Sequence, residues 1–144
     1  MTHTYLTNSP EETYDLAAEL GKKAQPGQIY ALDGDLGTGK TVFAQGFAAG
    51  LGVCGPVCSP TFTIVQEYAD GQLPLYHFDV YRIEEPEELE EIGFEEYLFG
   101  DGVCLIEWAG RVRELLPEQT IFVTIEKEPE NGPDHRRITI GGAS

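Results

Sequence analysis

The chain has 144 residues, 41% of them hydrophobic and 24% charged, and 25 acidic residues outweigh nine basic ones for a formal net charge of −16. That length suits a single domain over residues 1–144 with a core of its own, and no apolar run is long enough to span a membrane. A surface this acidic repels phosphate backbones, which argues against direct nucleic-acid binding; it fits docking on a more basic protein face, or plain solubility, equally well.

The N-terminus lacks the basic-then-apolar pattern of a secretory leader, so a cytoplasmic protein without membrane association is expected. Cys54, Cys58 and Cys104 are too few and too scattered for a disulfide framework. With His3, His77 and His135 they form no zinc-ligand spacing, so reduced thiols and no zinc are expected.

The first predicted element is a helix opening at Ser9-Pro10-Glu11-Glu12. Ser9 can cap it, Pro10 fits its first turn, and Glu12 stands three residues after the cap. Thr13, Leu16, Ala17 and Leu20 line one face, and Pro26-Gly27 closes the unit.

A strand-like run, Ile29 to Leu32, then leads into Gly34-Asp35-Leu36-Gly37-Thr38-Gly39-Lys40-Thr41 and a helix-like stretch from Val42 to Leu51. The octapeptide fits G-x-x-x-x-G-K-[ST], the phosphate-binding loop, between the strand and helix that motif requires. Phe43, Phe47 and Leu51 recur at four-residue spacing along the helix. Glycines let backbone N–H groups curl around a phosphate, and the helix N-terminus adds partial positive charge there. Leu36, Gly37, Thr38 and Gly39 would supply the cradle, Lys40 would reach the β- and γ-phosphates, and the Thr41 hydroxyl would be a Mg²⁺ ligand. ATP with Mg²⁺ is the implied ligand class.

Next comes an irregular loop, Gly52 to Pro60, that leads through Ser59 and Thr61 into a strand from Phe62 to Tyr68. A loop placed here in phosphate-loop switch proteins orders on the γ-phosphate, with Thr61 as candidate sensor; a polar loop residue satisfying backbone groups fits as well. Asp70-Gly71 predicts a tight turn into Leu73–Arg82, hence a hairpin. Asp79 ends that apolar run, where a Walker-B carboxylate would stand beside Mg²⁺, while His77 reads as a hydrogen-bonded packing residue.

Eight of the thirteen residues from Glu84 to Glu96 are glutamate, and two short amphipathic pieces meet near Gly93. The run reads as a solvated face or as a docking surface. Val103 to Trp108 predicts a buried strand ending in Glu107, an acid able to hold metal through water or to orient an attacking water. Trp108 could lie on a nucleobase or cover the core. A short helical piece, Arg111–Leu116, stops at Pro117, and Ile121–Glu126 with Arg136–Ile140 predicts a C-terminal hairpin. Together these elements predict an α/β, three-layer P-loop NTPase-like fold, its mixed sheet carrying one added antiparallel hairpin.

Four blocks, GDLGTGKT, SPTFTIVQEY, YHFDVYR followed by PEELEEIG, and LIEW, in this order and spacing, resemble the TsaE family, small bacterial P-loop ATPases of tRNA threonylcarbamoyladenosine synthesis. Departures are mild: Thr38 where alanine is common, Phe62 where tyrosine is, Val80 where leucine is. The match weakens after Pro117. The resemblance implies an ATPase that supports a TsaB–TsaD pair, which modifies adenosine 37 of tRNAs reading ANN codons, so that tRNA is met only indirectly. It also implies Mg²⁺ held by Thr41 and Glu107, Asp79 at the metal–phosphate site, and Ser59 and Thr61 in a switch-like loop. Lys40, Asp79 and Glu107 form the implied catalytic set. A small-molecule kinase would need an acceptor site and a basic lid, for which arginines are few; a GTPase would carry N-K-x-D, which is absent. A P-loop small-molecule kinase and a nucleotide switch that does not hydrolyse remain the alternatives.

Overall fold

The structure, a computed structural model, describes residues 2–35, 37–57 and 64–142. Leu36, Cys58, Ser59, Thr61, Phe62 and Thr63 therefore lie outside the described residues.

Strand β1 (Thr2–Thr7) precedes helix α1 (Pro10–Lys23). The Ser9 hydroxyl accepts from the Glu12 amide at 3.2 Å, and the Glu12 carboxylate accepts from the Asn8 amide at 2.9 Å, a reciprocal cap near that predicted from spacing. Strand β2 (Ile29–Asp33) feeds the glycine loop and helix α2 (Lys40–Gly50). Strands β3 (Val65–Tyr68) and β4 (Leu75–Asp79) form the predicted antiparallel hairpin. Tyr68 pairs with Leu75, so the connection spans residues 69–74 and is not a tight turn at Asp70-Gly71. Gly71 packs against the end of α2 there, and the Gln72 amide donates to the Leu51 carbonyl at 2.7 Å. The loop is long because it docks on the helix.

Two five-residue helices follow, α3 (Glu87–Glu91) and α4 (Phe94–Leu98), separated at Gly93 as the sequence predicts. Strand β5 (Val103–Glu107), a 3₁₀ segment (Ala109–Leu115), β6 (Ile121–Lys127) and β7 (Arg136–Gly142) complete the chain.

The sheet runs β1-β7-β6-β2-β5-β4-β3. Its centre is parallel, with β2 between β5 and β6 and β4 outside β5. Its wings are antiparallel: β3 on β4 at one side, β7 on β6 and β1 on β7 at the other. The expected added hairpin is present as β6–β7, and β1 extends it to three strands. Its residues, THTYLT, alternate without a strong apolar face and five of the six are exposed, so burial leaves no mark on the sequence.

Alternation along the central strands separates two cores. Tyr30, Leu32, Leu75, Val103 and Leu105 face α1 and α2, where Phe43, Phe47 and Ala17 are buried. Ile29, Ala31, Phe78, Cys104 and Ile106 face α3, α4 and the 3₁₀ segment, meeting Leu89, Phe94, Leu98 and Val112. Helices α1 and α2 touch backbone to backbone: a methyl group on Gly46 would overlap the Tyr14 carbonyl, and one on Gly50 the Ala18 carbonyl. That seam fixes the direction in which α2 aims its N-terminus. Three of the four parallel strands end in Asp33, Asp79 and Glu107, at the carboxyl ends where open α/β folds bind ligands.

Candidate phosphate and metal site

The loop after β2 enters α2 through Gly39, whose φ of 103° is left-handed and whose added Cβ would meet nothing within 4 Å. A side chain here would be strained by backbone conformation rather than by crowding. No side chain caps α2, and its first intrahelical bond runs from the Phe43 amide to the Gly39 carbonyl. Among the described residues the N–H groups ahead of it have no backbone partner within the helix, and they stand beside its positive dipole end.

Two bonds shape the loop from within: the Thr38 hydroxyl and amide both donate to the Asp35 carbonyl, at 2.8 and 3.3 Å. A third support comes from β7. Arg136 Nε donates to the Thr38 carbonyl at 2.8 Å and Nη2 to the Gly37 carbonyl at 3.4 Å, while Nη1 holds the Pro133 and His135 carbonyls. A trans peptide sets C=O and N–H in opposite directions, so drawing the Thr38 carbonyl to Arg136 turns the Gly39 N–H away from it. Among the described residues Arg136 has no carboxylate at ion-pair distance, so its charge is added to the loop without being cancelled. The sequence assigned Arg136 no role; the Arg136-Arg137 pair in a chain with so few cations was the available signal.

Lys40 is buried to 7% exposure, and its ammonium donates to the Gly34 carbonyl and lies 3.1 Å from the centre of the Trp108 ring. Burial lowers its pKa, against the attraction of Glu107, Asp79, Asp33 and Asp35. Trp108 leaves β5 in a left-handed conformation, φ 62°, with Tyr81 packed beside it at 4.8 Å. Such a backbone costs a non-glycine residue about 1–2 kcal/mol, and here it turns the indole back over Lys40. Of the two expected roles for Trp108, core cover is seen, the half-buried ring packing against the core beneath α3, α4 and the 3₁₀ segment, and the ring is also a seat for the Lys40 ammonium.

Asp79 and Glu107 are paired in register across β4 and β5. A cavity of about 390 Å³ is bounded by both, together with Gly37, Gly39, Lys40, Thr41 and Trp108. The structure thus gathers every described residue of the expected catalytic and metal sets at one opening. Burial raises the Asp79 pKa, opposed by the Tyr81 amide, which donates to Oδ1 at 3.0 Å; Glu107 pushes it further up. Glu107 is 2% exposed, and His77 Nε2 stands 2.6 Å from its Oε2. That contact was not foreseen, although His77 two residues before Asp79 on the same strand face carried the hint.

A Mg²⁺ ion fits this donor set. Thr41 begins α2 with its residue exposed, two carboxylates stand opposite, and all three offer oxygen, which Mg²⁺ prefers. Among the described residues no three His, Cys, Asp or Glu side chains gather closely enough to hold a metal unaided. That also suits Mg²⁺, which takes one or two carboxylates and completes its shell with phosphates and water. On the other side of the loop a cavity of about 620 Å³ is lined by Asp33, Asp35, Thr38, Trp108, Glu126 and Lys127.

A three-layer α/β fold with a glycine-rich loop between its central strand and an uncapped helix defines a P-loop-type protein. The family model for threonylcarbamoyl adenosine biosynthesis protein TsaE matches residues 7–138. Over 133 residues the chain is 50% identical to the tRNA threonylcarbamoyladenosine biosynthesis protein TsaE of Bacillus subtilis, covering 92% of this chain and 81% of that one. The protein of the same name from Treponema pallidum is 40% identical over 135 residues, 94% of this chain and 97% of that one. The crystal structure of Bacillus YdiB superposes with a TM-score of 0.86 at 42% identity, over 100% of this chain and 87% of that one. The chain belongs to the TsaE family. No helix among the described residues is long and apolar enough to cross a membrane.

Proposed function

We propose that this protein binds ATP with Mg²⁺ and hydrolyses it, slowly when alone, in support of a TsaB–TsaD-like complex that modifies tRNA. The observation that carries the reading is the convergence of Lys40, Thr41, Asp79 and Glu107 on the opening of an uncapped helix N-terminus. Free amides and one ammonium suit a phosphate, and the carboxylates suit the metal that accompanies it. The metal is required electrostatically. Asp33, Asp35, Asp79 and Glu107 all act on Lys40, so a bare triphosphate would meet more negative charge than positive. Bound Mg²⁺ would neutralise phosphate charge in the transition state.

Each side chain then has a task. Lys40 would exchange the Trp108 ring for the β- and γ-phosphate oxygens, Thr41 and Glu107 would hold the metal, and Asp79 would stand at the metal–phosphate site. The net charge of −16 leaves tRNA contact to the partners, and the glutamate-rich helices α3 and α4 offer them an acidic face.

The test is ATP binding followed by the fluorescence of the single tryptophan, joined to phosphate release with and without TsaB–TsaD. A saturable, Mg²⁺-dependent change in Trp108 emission and partner-stimulated release are expected. Saturable binding with no release under either condition replaces the ATPase with a nucleotide switch, and release that needs a small acceptor replaces it with a kinase.

A further inference from the structure

His77 is fully buried in the middle of β4, on the strand face that also carries Asp79. Its backbone pairs with Leu105 while its ring reaches diagonally to Glu107, where Nε2 and Oε2 are 2.6 Å apart. With Glu107 ionised, as a metal-holding acid must be, the carboxylate only accepts and Nε2 would carry the proton of this bond. The other ring nitrogen, Nδ1, is buried and has no hydrogen-bond partner among the described residues.

That orphan is informative. A buried polar nitrogen left unpaired costs about 1–3 kcal/mol, so a residue serving only to fill this space would be better as phenylalanine or leucine. What the imidazole gives in return is a single short bond to one carboxylate. Two strand backbones fix where that bond originates, and the bond sets the plane of a carboxylate at the mouth of the phosphate cavity. Outer partners of this kind orient metal ligands.

We propose that His77 is a positioning residue for Glu107: its Nε2–H holds the carboxylate in the orientation that receives the metal. The inference rests on the reading of Glu107 as a metal-holding acid, and its test separates the two. His77 touches neither nucleotide nor metal.

The measurement is a Mg²⁺ titration of the full chain saturated with a non-hydrolysable ATP analogue, followed by Trp108 emission, with the melting temperature of each variant recorded alongside. His77→Phe keeps a ring of similar shape without the donor and should raise the half-saturating Mg²⁺ concentration roughly tenfold. His77→Gln places an N–H near the position of Nε2 and should return it to within about threefold of wild type. Glu107→Gln should raise it at least as far as His77→Phe. If Glu107→Gln shifts the titration and His77→Phe does not, the proposal fails while the metal reading stands. It also fails if His77→Gln is as impaired as His77→Phe, because the bond is then not what matters. If Glu107→Gln leaves the titration unmoved, the metal reading fails and takes the proposal with it. Should His77→Phe not fold, His77→Asn, whose amide falls near Nδ1, replaces it and should be impaired where His77→Gln is not.

Discussion

The two helical layers that cover the sheet solve the same burial problem differently. On one face α1 and α2 run for fourteen and eleven residues and close upon each other at Gly46 and Gly50, with almost no side chain between them. On the other, α3 and α4 have five residues each and are held by aromatic contacts instead, Phe78 against Phe94 at 5.2 Å and against Tyr97 at 5.4 Å. Backbone contact leaves a helix no freedom to rotate or slide, which suits the layer that would hold the N-terminus of α2 on the proposed phosphate. Ring packing tolerates variation, and that layer turns seven exposed or half-exposed glutamates outward between Glu84 and Glu96 besides Glu88. On the proposed function, chemistry and docking would fall on opposite faces of one sheet.

Changes on the two faces should separate in kind as well as in size. The largest effect is expected from Lys40→Ala, which should weaken ATP binding at least a hundredfold, about 3 kcal/mol. Its melting temperature should stay within a few degrees of wild type, since Lys40 bonds one carbonyl and a ring face. Nucleotide titration and thermal melting check both halves, and normal ATP turnover in this variant would end the phosphate assignment. Glu107→Gln should follow, lowering turnover about 10–100-fold with ATP affinity at saturating Mg²⁺ nearly unchanged.

Gly50→Ala tests the seam itself. Forcing a methyl group onto the Ala18 carbonyl should cost about 1–3 kcal/mol in chemical denaturation. It should also weaken ATP binding although residue 50 is a full helix away from the loop; destabilisation without loss of affinity would break the link between seam and loop. Asp79→Asn should slow turnover but raise the melting temperature of the nucleotide-free protein slightly. Burial raises the Asp79 pKa above its unfolded value, so the folded state resists its ionisation, and stability is lost as pH rises through that window. Asparagine removes that cost while still accepting from the Tyr81 amide, and the gain should vanish in acid. The smallest effect on the isolated protein belongs to Glu90→Gln with Glu91→Gln, within about 0.5 kcal/mol of wild-type stability. Partner binding across a salt series should nonetheless lose part of its salt dependence in that pair, and an unchanged salt slope would remove the acidic face from docking.

The phosphate loop, the α2 periodicity, the Ser9 cap and the ends of β2, β4 and β5 were legible because each depends on residues close in sequence. Capping, helical spacing and strand alternation act over two to five residues, so their marks survive in a linear reading. The length of the 69–74 connection was not legible, since Asp70-Gly71 satisfies a tight turn locally and only the docking of Gly71 on α2 overrides it. Nor was β1, whose partner β7 lies at the other end of the chain and whose faces are nearly all exposed.

The sequence alone therefore determined the class of fold and the family, and it named the residues proposed to meet a phosphate and a metal, because those roles are written as residue types at fixed short spacings. Only the tertiary structure decided which side chains support them. Arg136 reaches the loop from 98 residues away, His77 reaches Glu107 across a strand pairing, and Lys40 rests on an indole at the end of another strand. Such contacts are made by register and chain crossing, where separation in sequence carries no information about distance in space.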